Sequence, residues 1–134
     1  MAGKRGLIMG VANKNSIAWA IARQLSAQGA ELAFTYQGEA LLRRVGPLAE
    51  SVGSDLVLPC DVTDDASMEV AFAALEDKWG KIDFLVHAIA FAGKDELMGS
   101  MVENTTREGF RRAMDISVFS FIDASRRASE IMPD

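Results

Sequence analysis

Four short apolar runs alternate with stretches of helical periodicity, and this alternation restricts the chain to few folds. The runs occupy residues 5–10, 31–36, 55–60 and 82–90. Each run is almost continuously apolar, which is typical of parallel strands covered on both faces. Strands that alternate with helices predict an α/β fold, namely a doubly wound parallel sheet with right-handed crossovers.

The first two connecting segments carry helical patterns. The first segment has apolar residues at helical spacing, namely Ile17, Ile21 and Leu25. Gly29 stands after them, where a C-terminal cap belongs. The second segment, residues 38–52, is helical around its centre, but Pro47 is expected to break or restart the helix.

The later segments predict two longer helices. Residues 64–79 carry one apolar stripe, which consists of Met68, Ala71, Phe72, Leu75 and Trp79. Thr105 and Glu108 have the spacing of a capping box, and a single long helix is predicted from there to about Met132. Its i,i+4 pairs of opposite charge, Glu108 with Arg112 and Asp123 with Arg127, favour a solvated helix face.

Composition narrows the class of protein. The 134 residues are enough for one ordinary domain, and 49% of them are hydrophobic. A net charge of −5 argues against a dedicated nucleic-acid binder, and no apolar run is long enough to cross a bilayer. One cysteine and one histidine exclude a disulfide framework and the usual metal-ligand clusters. We expect a cytoplasmic globular protein without a metal.

The loop after the first run, "GVANKNSIAWAIARQL", is the first candidate binding site. Ligands of doubly wound sheets bind beyond the carboxyl ends of the strands, and phosphates are held there by a helix N-terminus. Gly10 allows a sharp turn, Ala18 allows close helix packing, and Ser16 can cap the helix or donate to a phosphate. A G-x-G-x-x-G pattern is absent, so spacing alone favours a nucleotide site and a plain strand-turn-helix equally.

Five stretches in register point to one family. "GVANKNSIAWAIA" resembles the G-x5-S-[IL]-A/G loop of the bacterial enoyl-acyl carrier protein reductases, which belong to the short-chain dehydrogenase/reductase superfamily. "GAELAFTYQ", "CDVTDDAS", "FLVHAIAFA" and "TREGFRRAMDIS" continue the resemblance over nearly the whole chain. It implies a Rossmann-like fold and hydride transfer from NADH to the β-carbon of a trans-2-enoyl thioester in fatty-acid biosynthesis.

The resemblance assigns the cofactor's phosphates and adenosine half to residues near the first three strands. Gly10, Ser16 and Ile17 would contact the cofactor at the first loop. Gln37 would contact the adenosine ribose and can bond a hydroxyl there. Glu39 two residues on would repel a 2′-phosphate, so NADH is preferred over NADPH. Asp61 would accept a hydrogen bond from the adenine amino group, beside the backbone of Val62. Asp61 could also cap the helix that starts near residue 64.

The nicotinamide half and the substrate are assigned to the end of the fourth strand. Ile89 would contact the nicotinamide ribose side, and Ala92 would lie where the acyl substrate approaches. Ala88 departs from the family pattern, because many members carry serine there. His87 and Cys60 are more simply explained as a hydrogen-bonded structural residue and a buried thiol.

The family's catalytic tyrosine and lysine have no counterpart here. Tyr36 is the single tyrosine, and no Tyr-x6-Lys spacing exists. We therefore assign no catalytic residue to this chain. We expect residues 1–134 to be the N-terminal part of one dinucleotide-binding reductase domain, cut after the fourth strand and its helix, in a polypeptide that continues past Asp134. The apolar sides of that helix and the resemblance predict a homotetramer of the full-length protein.

Two other functions stay open at this point. A divergent short-chain dehydrogenase could reduce a carbonyl group instead, although the usual N-N-A-G and T-G-x3-G-x-G motifs are absent. A short, non-catalytic nucleotide-binding or assembly module is the third possibility, and the length of the chain is its main support.

Overall fold

The computed structural model describes residues 1–133 and contains a four-stranded, fully parallel sheet with the order β3-β2-β1-β4. The predicted doubly wound α/β class is therefore confirmed. The strands are β1 (Arg5–Met9), β2 (Glu31–Tyr36), β3 (Val57–Pro59) and β4 (Phe84–His87).

Helices follow each strand. They are α1 (Ile17–Ala27), α2 (Glu39–Ser51), α3 (Asp65–Trp79), a short 3₁₀ turn (Lys94–Leu97), α4 (Met101–Asn104), α5 (Arg107–Met114), a π-helical turn (Asp115–Phe119) and α6 (Ser120–Glu130). Among residues 1–133, none of these helices combines the length and apolar character needed to span a bilayer.

Two apolar cores lie on opposite faces of the sheet. Successive strand side chains point to opposite faces, so Leu7 and Met9 of β1 join one core and Ile8 joins the other. The first core is completed mainly by α3 and α6, and the second by α1 and α2. In α3 the predicted stripe is buried at Met68, Ala71, Phe72 and Leu75. This two-sided burial explains why the strands lack polar alternation.

Strand β2 matches its predicted apolar run, and the other three strands are shorter than the runs that predict them. The fourth run covers residues 82–90, but β4 pairs with β1 only from Phe84 to His87. The third run covers residues 55–60, and β3 is limited to Val57–Pro59 by its pairing with β2. A strand extends only as far as its neighbour offers backbone partners, so apolar residues beyond that point pack without joining the sheet.

Two details of the first helices differ from prediction. Helix α1 buries Ala18, Trp19 and Ala22, while Ile17 is 77% exposed. The small alanines let the helix lie close to the sheet, so the face of the isoleucines is turned away from it. Helix α2 continues through Pro47. Pro47 lies on the exposed side of the helix, and Val45 and Ala49, one turn apart, bury the other side against the core.

The last helical region also differs from prediction. Thr106, rather than Thr105, caps α5, since its hydroxyl accepts a hydrogen bond from the Gly109 N–H at 2.9 Å. A π-helical turn separates α5 from α6, so the predicted single long helix is interrupted. Arg112 lies over the ring of Phe91 at 5.3 Å instead of pairing with Glu108.

The second predicted ion pair forms, but not on a solvated face. Asp123 is only 3% exposed, and it accepts hydrogen bonds from Arg127 at 2.9 Å and from Arg126. Burial favours the neutral carboxyl, but the two arginine hydrogen bonds and charges hold the pKa of Asp123 below its usual value. The buried carboxylate therefore forms hydrogen bonds to two arginines of its own helix, α6.

Candidate functional site

A cleft lies at the carboxyl ends of the strands, where the order of connection reverses. From β1 the chain proceeds to β2 and β3, which lie on one side of β1 within the sheet. It then returns to β4, which pairs with the other side of β1. Such a reversal opens a crevice that is the usual ligand site of doubly wound sheets. The cleft is lined by Gly10, Val11, Ala12, Thr35, Tyr36, Gln37, Leu41, Cys60, Val62, Ala88, Ile89, Ala90 and Ile116.

Gly10 forms the floor of the cleft next to the segment after β4. It has φ +107°, a conformation that residues with a Cβ atom rarely adopt. A Cβ atom at this position would lie 2.5 Å from the carbonyl carbon of Ala88 and closer still to its oxygen. The glycine therefore lets the first loop and the β4 extension meet backbone to backbone.

Ser16 organises the loop but does not cap α1. Its hydroxyl oxygen accepts hydrogen bonds from the N–H groups of Ala12 and Asn13, at 2.9 and 3.0 Å. No side chain caps the first turn of α1, and that turn contains no acidic residue. The positive end of the helix dipole is therefore uncompensated beside the cleft, which suits an anionic ligand.

Gln37 and Asp61 meet at the rim of the cleft, beyond the ends of β2 and β3. Gln37 Nε2 donates to Asp61 Oδ2 at 2.8 Å. Asp61 Oδ1 accepts from the Thr63 N–H at 2.9 Å and from the Thr63 hydroxyl at 2.7 Å. These hydrogen bonds, the backbone one first, lower the pKa of Asp61. The carboxylate does not cap α3, because Asp64 does so through the Ala66 N–H.

The structure brings most of the predicted site residues to one cleft. Gly10, Gln37, Val62 and Ile89 line it, and Asp61 is bonded to Gln37 at its rim. The remaining three, Ser16, Ile17 and Ala92, are near the cleft in sequence but are not part of its lining within residues 1–133. Ser16 and Ile17 stand at the start of α1, and Ala92 is half-buried in the segment after β4.

His87 and Cys60 have the structural surroundings that the sequence predicts. His87 Nε2 lies 2.8 Å from the hydroxyl of Ser120, and its ring meets the ring of Phe121 edge-on. Burial lowers the pKa of His87. Cys60 is buried beside Met68, and burial, reinforced by the Asp61 charge, raises the pKa of its thiol to about 11.

Sequence reasoning missed several residues that line the cleft. Tyr36 and Cys60 could have been found, because they stand at the ends of strands β2 and β3. Ile116 gives no such signal, since it enters the cleft from the π-helical turn. Within residues 1–133, no group of three or more His, Cys, Asp or Glu side chains is placed to hold a metal ion.

Comparison with known proteins agrees with this geometry. A family model described as enoyl-(acyl carrier protein) reductase matches residues 10–134. The enoyl-[acyl-carrier-protein] reductase [NADH] 2 of Rhizobium meliloti is 59% identical over all 134 residues of the chain, which cover 50% of that protein. The chain thus spans about half the length of the curated relatives it matches.

Solved structures show the same likeness. FabI from Candidatus Liberibacter asiaticus superimposes with a TM-score of 0.94 at 50% identity, over 97% of this chain and 50% of that one. The enoyl-(acyl-carrier-protein) reductase of Anaplasma phagocytophilum, solved in complex with NAD, gives 0.93 at 48% identity, over 98% and 50%. With its parallel sheet, its glycine-floored cleft and a family match over almost its whole length, the chain belongs to the enoyl-(acyl carrier protein) reductase family.

Proposed function

We propose that this chain provides the cofactor-binding half of an NADH-dependent enoyl-acyl carrier protein reductase of fatty-acid biosynthesis. The observation that carries the proposal is the cleft at the reversal point between β1 and β4, floored by Gly10 and bordered by the uncapped start of α1. Relatives that share this half bear the name of an NADH-dependent reductase, and a related structure contains NAD.

The residues present fit an extended dinucleotide. The free N–H groups at the start of α1, around Ile17, would hold the pyrophosphate, with Ser16 shaping the loop below it. The carboxylate of Asp61 and the backbone of Val62 would receive the adenine. Gln37, which is neutral, would bond the ribose hydroxyls next to it. Glu39 in the first turn of α2 would repel a 2′-phosphate, so NADH is preferred over NADPH.

The other end of the cleft would receive the nicotinamide. Ile89 lines the cleft after β4, and Ala92 lies further along the same segment, where a small side chain leaves room for an acyl thioester. When bound, NADH supplies the hydride that the reaction adds to the β-carbon of the enoyl thioester. The chain's own part is to bind and orient the cofactor. We assign it no catalytic residue, since Tyr36, its single tyrosine, lies at the adenosine side.

Three features support proposals about the whole protein. We propose that it acts in the cytoplasm, in keeping with a free buried thiol at Cys60, and that it binds neither nucleic acid nor membrane, in keeping with a net charge of −5. We also propose that it is a homotetramer. Large apolar residues of α5, the π-helical turn and α6 are exposed, namely Phe110, Phe119, Phe121 and Ile122.

The proposal is tested with two proteins, the 134-residue chain and a chain of the relatives' full length. NADH binding to the shorter chain is measured by titration calorimetry against NADPH, and oxidation of NADH by the longer chain is followed at 340 nm with a crotonyl thioester. We expect the shorter chain to bind NADH more tightly than NADPH without turnover, and the longer chain to reduce the enoyl thioester.

Other results would select the other functions. Reduction of ketones but not of enoyl thioesters by the longer chain would assign a carbonyl reductase. Binding of NADH without any turnover by either chain would assign a non-catalytic nucleotide-binding protein. Absence of NADH binding would refute the cofactor site. Size-exclusion chromatography with light scattering tests the tetramer in the same preparations.

A further inference from the structure

The π-helical turn between α5 and α6 directs two serine hydroxyls at one short segment. Ser117 lies within the turn, and Ser120 is the first residue of α6. Both reach across to the segment His87–Phe91, which runs from the last residue of β4 and whose Ala88, Ile89 and Ala90 line the cleft. π-helical turns are rare and often occur at functional sites, so these contacts are candidates for a role beyond packing.

Ser117 holds the far end of the segment. Its hydroxyl oxygen accepts a hydrogen bond from the Phe91 N–H at 3.0 Å, and it lies 3.5 Å from the Phe91 carbonyl oxygen, to which it can donate. One side chain thus engages both polar backbone groups of Phe91. Because this residue lies beyond β4, no strand partner is available to satisfy those groups.

Ser120 holds the near end of the segment. It is fully buried, contacts the backbone oxygen of Ile116 and lies 2.8 Å from His87 Nε2. On the opposite side, the segment is closed in by Gly10, which leaves no space for a Cβ atom against Ala88. His87 is therefore held through its ring by Ser120 and through its strand pairing with Met9, and Phe91 is held through its backbone by Ser117. Between them, Ala88 lies against Gly10 of the first loop.

We propose that Ser117 is a positioning residue, which sets the backbone of Ala90 and Phe91 so that the nicotinamide end of the cleft has its binding shape. This role rests on the proposed function, because it assumes that the dinucleotide lies along the cleft with its nicotinamide at β4. Ser117 itself does not line the cleft, and it acts through the peptide groups that it holds. Ile116, its neighbour in the π-helical turn, does line it.

The test compares Ser117→Ala with Ser117→Thr in the 134-residue chain. The first readout is the affinity for NADH, compared with the affinity for ADP-ribose, which lacks the nicotinamide. The second readout is the rate of amide hydrogen exchange at Phe91. Loss of one hydrogen bond predicts exchange at Phe91 that is about fivefold faster in Ser117→Ala. We expect NADH to bind about fivefold more weakly, with ADP-ribose affinity changed by less than about twofold, and the threonine variant to regain both properties.

Ser129→Ala is the matched control. Ser129 lies on α6, is exposed and donates only to the nearby backbone oxygen of Arg126 at 2.6 Å. This variant removes a helix serine hydroxyl far from the segment, and we expect it to leave both affinities and the exchange at Phe91 unchanged.

The outcomes separate the inference from the function on which it rests. If wild type binds both ligands, but Ser117→Ala weakens them equally or weakens neither, the positioning role is refuted and the cofactor site stands. A wild-type chain that binds neither NADH nor ADP-ribose refutes the proposed function, and the positioning role with it. Weakened NADH binding by Ser117→Thr would also refute the role, since threonine keeps the hydroxyl group at this position.

Discussion

Replacement of Gly10 by alanine would place a methyl group against a backbone that cannot move aside cheaply. The added Cβ atom would lie 2.5 Å from the carbonyl carbon of Ala88, which belongs to the segment after β4 rather than to a flexible side chain. The backbone at Gly10 also has φ +107°, which is costly for any residue with a Cβ atom. Two separate penalties therefore act at one position.

The structure supplies a control that has a positive φ but lacks the steric clash. Gly53 has φ +75°, so alanine is strained there too, but nothing lies within 4 Å of its added Cβ atom. Backbone strain costs about 1–2 kcal/mol at Gly53 and at least as much at Gly10, whose φ lies further from the left-handed helical region, and overpacking against a fixed neighbour adds about 1–3 kcal/mol at Gly10 alone. We expect the free energy of unfolding to fall by about 3 kcal/mol for Gly10→Ala and by about 1 kcal/mol for Gly53→Ala.

Urea unfolding followed by far-UV circular dichroism measures both effects. With a denaturant slope of about 2 kcal/mol per molar urea, the midpoint falls by about 1.5 M for Gly10→Ala and by about 0.5 M for Gly53→Ala. The gain from restricting the unfolded chain is the same for both substitutions and cancels in the comparison. Equal midpoints for the two variants would refute the close approach of the first loop and the segment after β4.

Two further predictions concern buried ionisable groups. Asp123→Asn removes the charge that pairs with Arg127 and Arg126, and we expect a loss of about 2 kcal/mol in the free energy of unfolding at pH 7, measured by urea titration. Because the folded pKa of Asp123 lies below its unfolded value near 3.9, its contribution is present above about pH 4 and is lost as pH falls through the folded pKa. An asparagine variant that loses as much stability on acidification as wild type would contradict this. Cys60, whose pKa is raised to about 11, is expected to resist iodoacetamide at pH 8 in the folded chain and to react when urea unfolds the chain. Rapid labelling of the folded chain would contradict this prediction, because it would show that the thiol is accessible.

Much of the fold is predictable because its signals are local. The apolar runs locate all four strands, and the stripe that starts at Met68 identifies the buried face of α3. Both patterns depend on residues that are close together in the chain and belong to the same strand or helix. Gly10 is predictable for the same reason, since a loop that follows a buried strand and precedes a helix must turn sharply.

Parts of the candidate site were not predictable, because their polar side chains have several possible hydrogen-bond partners, some of them far away in sequence. Asp61 could have capped a helix, but its carboxylate instead accepts hydrogen bonds from the nearby Thr63 and from Gln37, 24 residues earlier. Ser16 could also have been a cap, but it folds back onto the loop before it. In both cases the side chain has several possible local partners, and the tertiary arrangement decides which one it meets.

The sequence by itself determined the class of fold, the place of the cleft and the residues at the strand ends, because strand ends on a parallel sheet share one edge whatever the details of packing. Only the tertiary structure decided how long each strand is, which face of α1 is buried, and that the π-helical turn brings Ile116 and Ser117 to the segment after β4. Ser117 lies 26 residues from Phe91. No local pattern encodes such a contact, because it forms only once the sheet and both of its helical layers are in place.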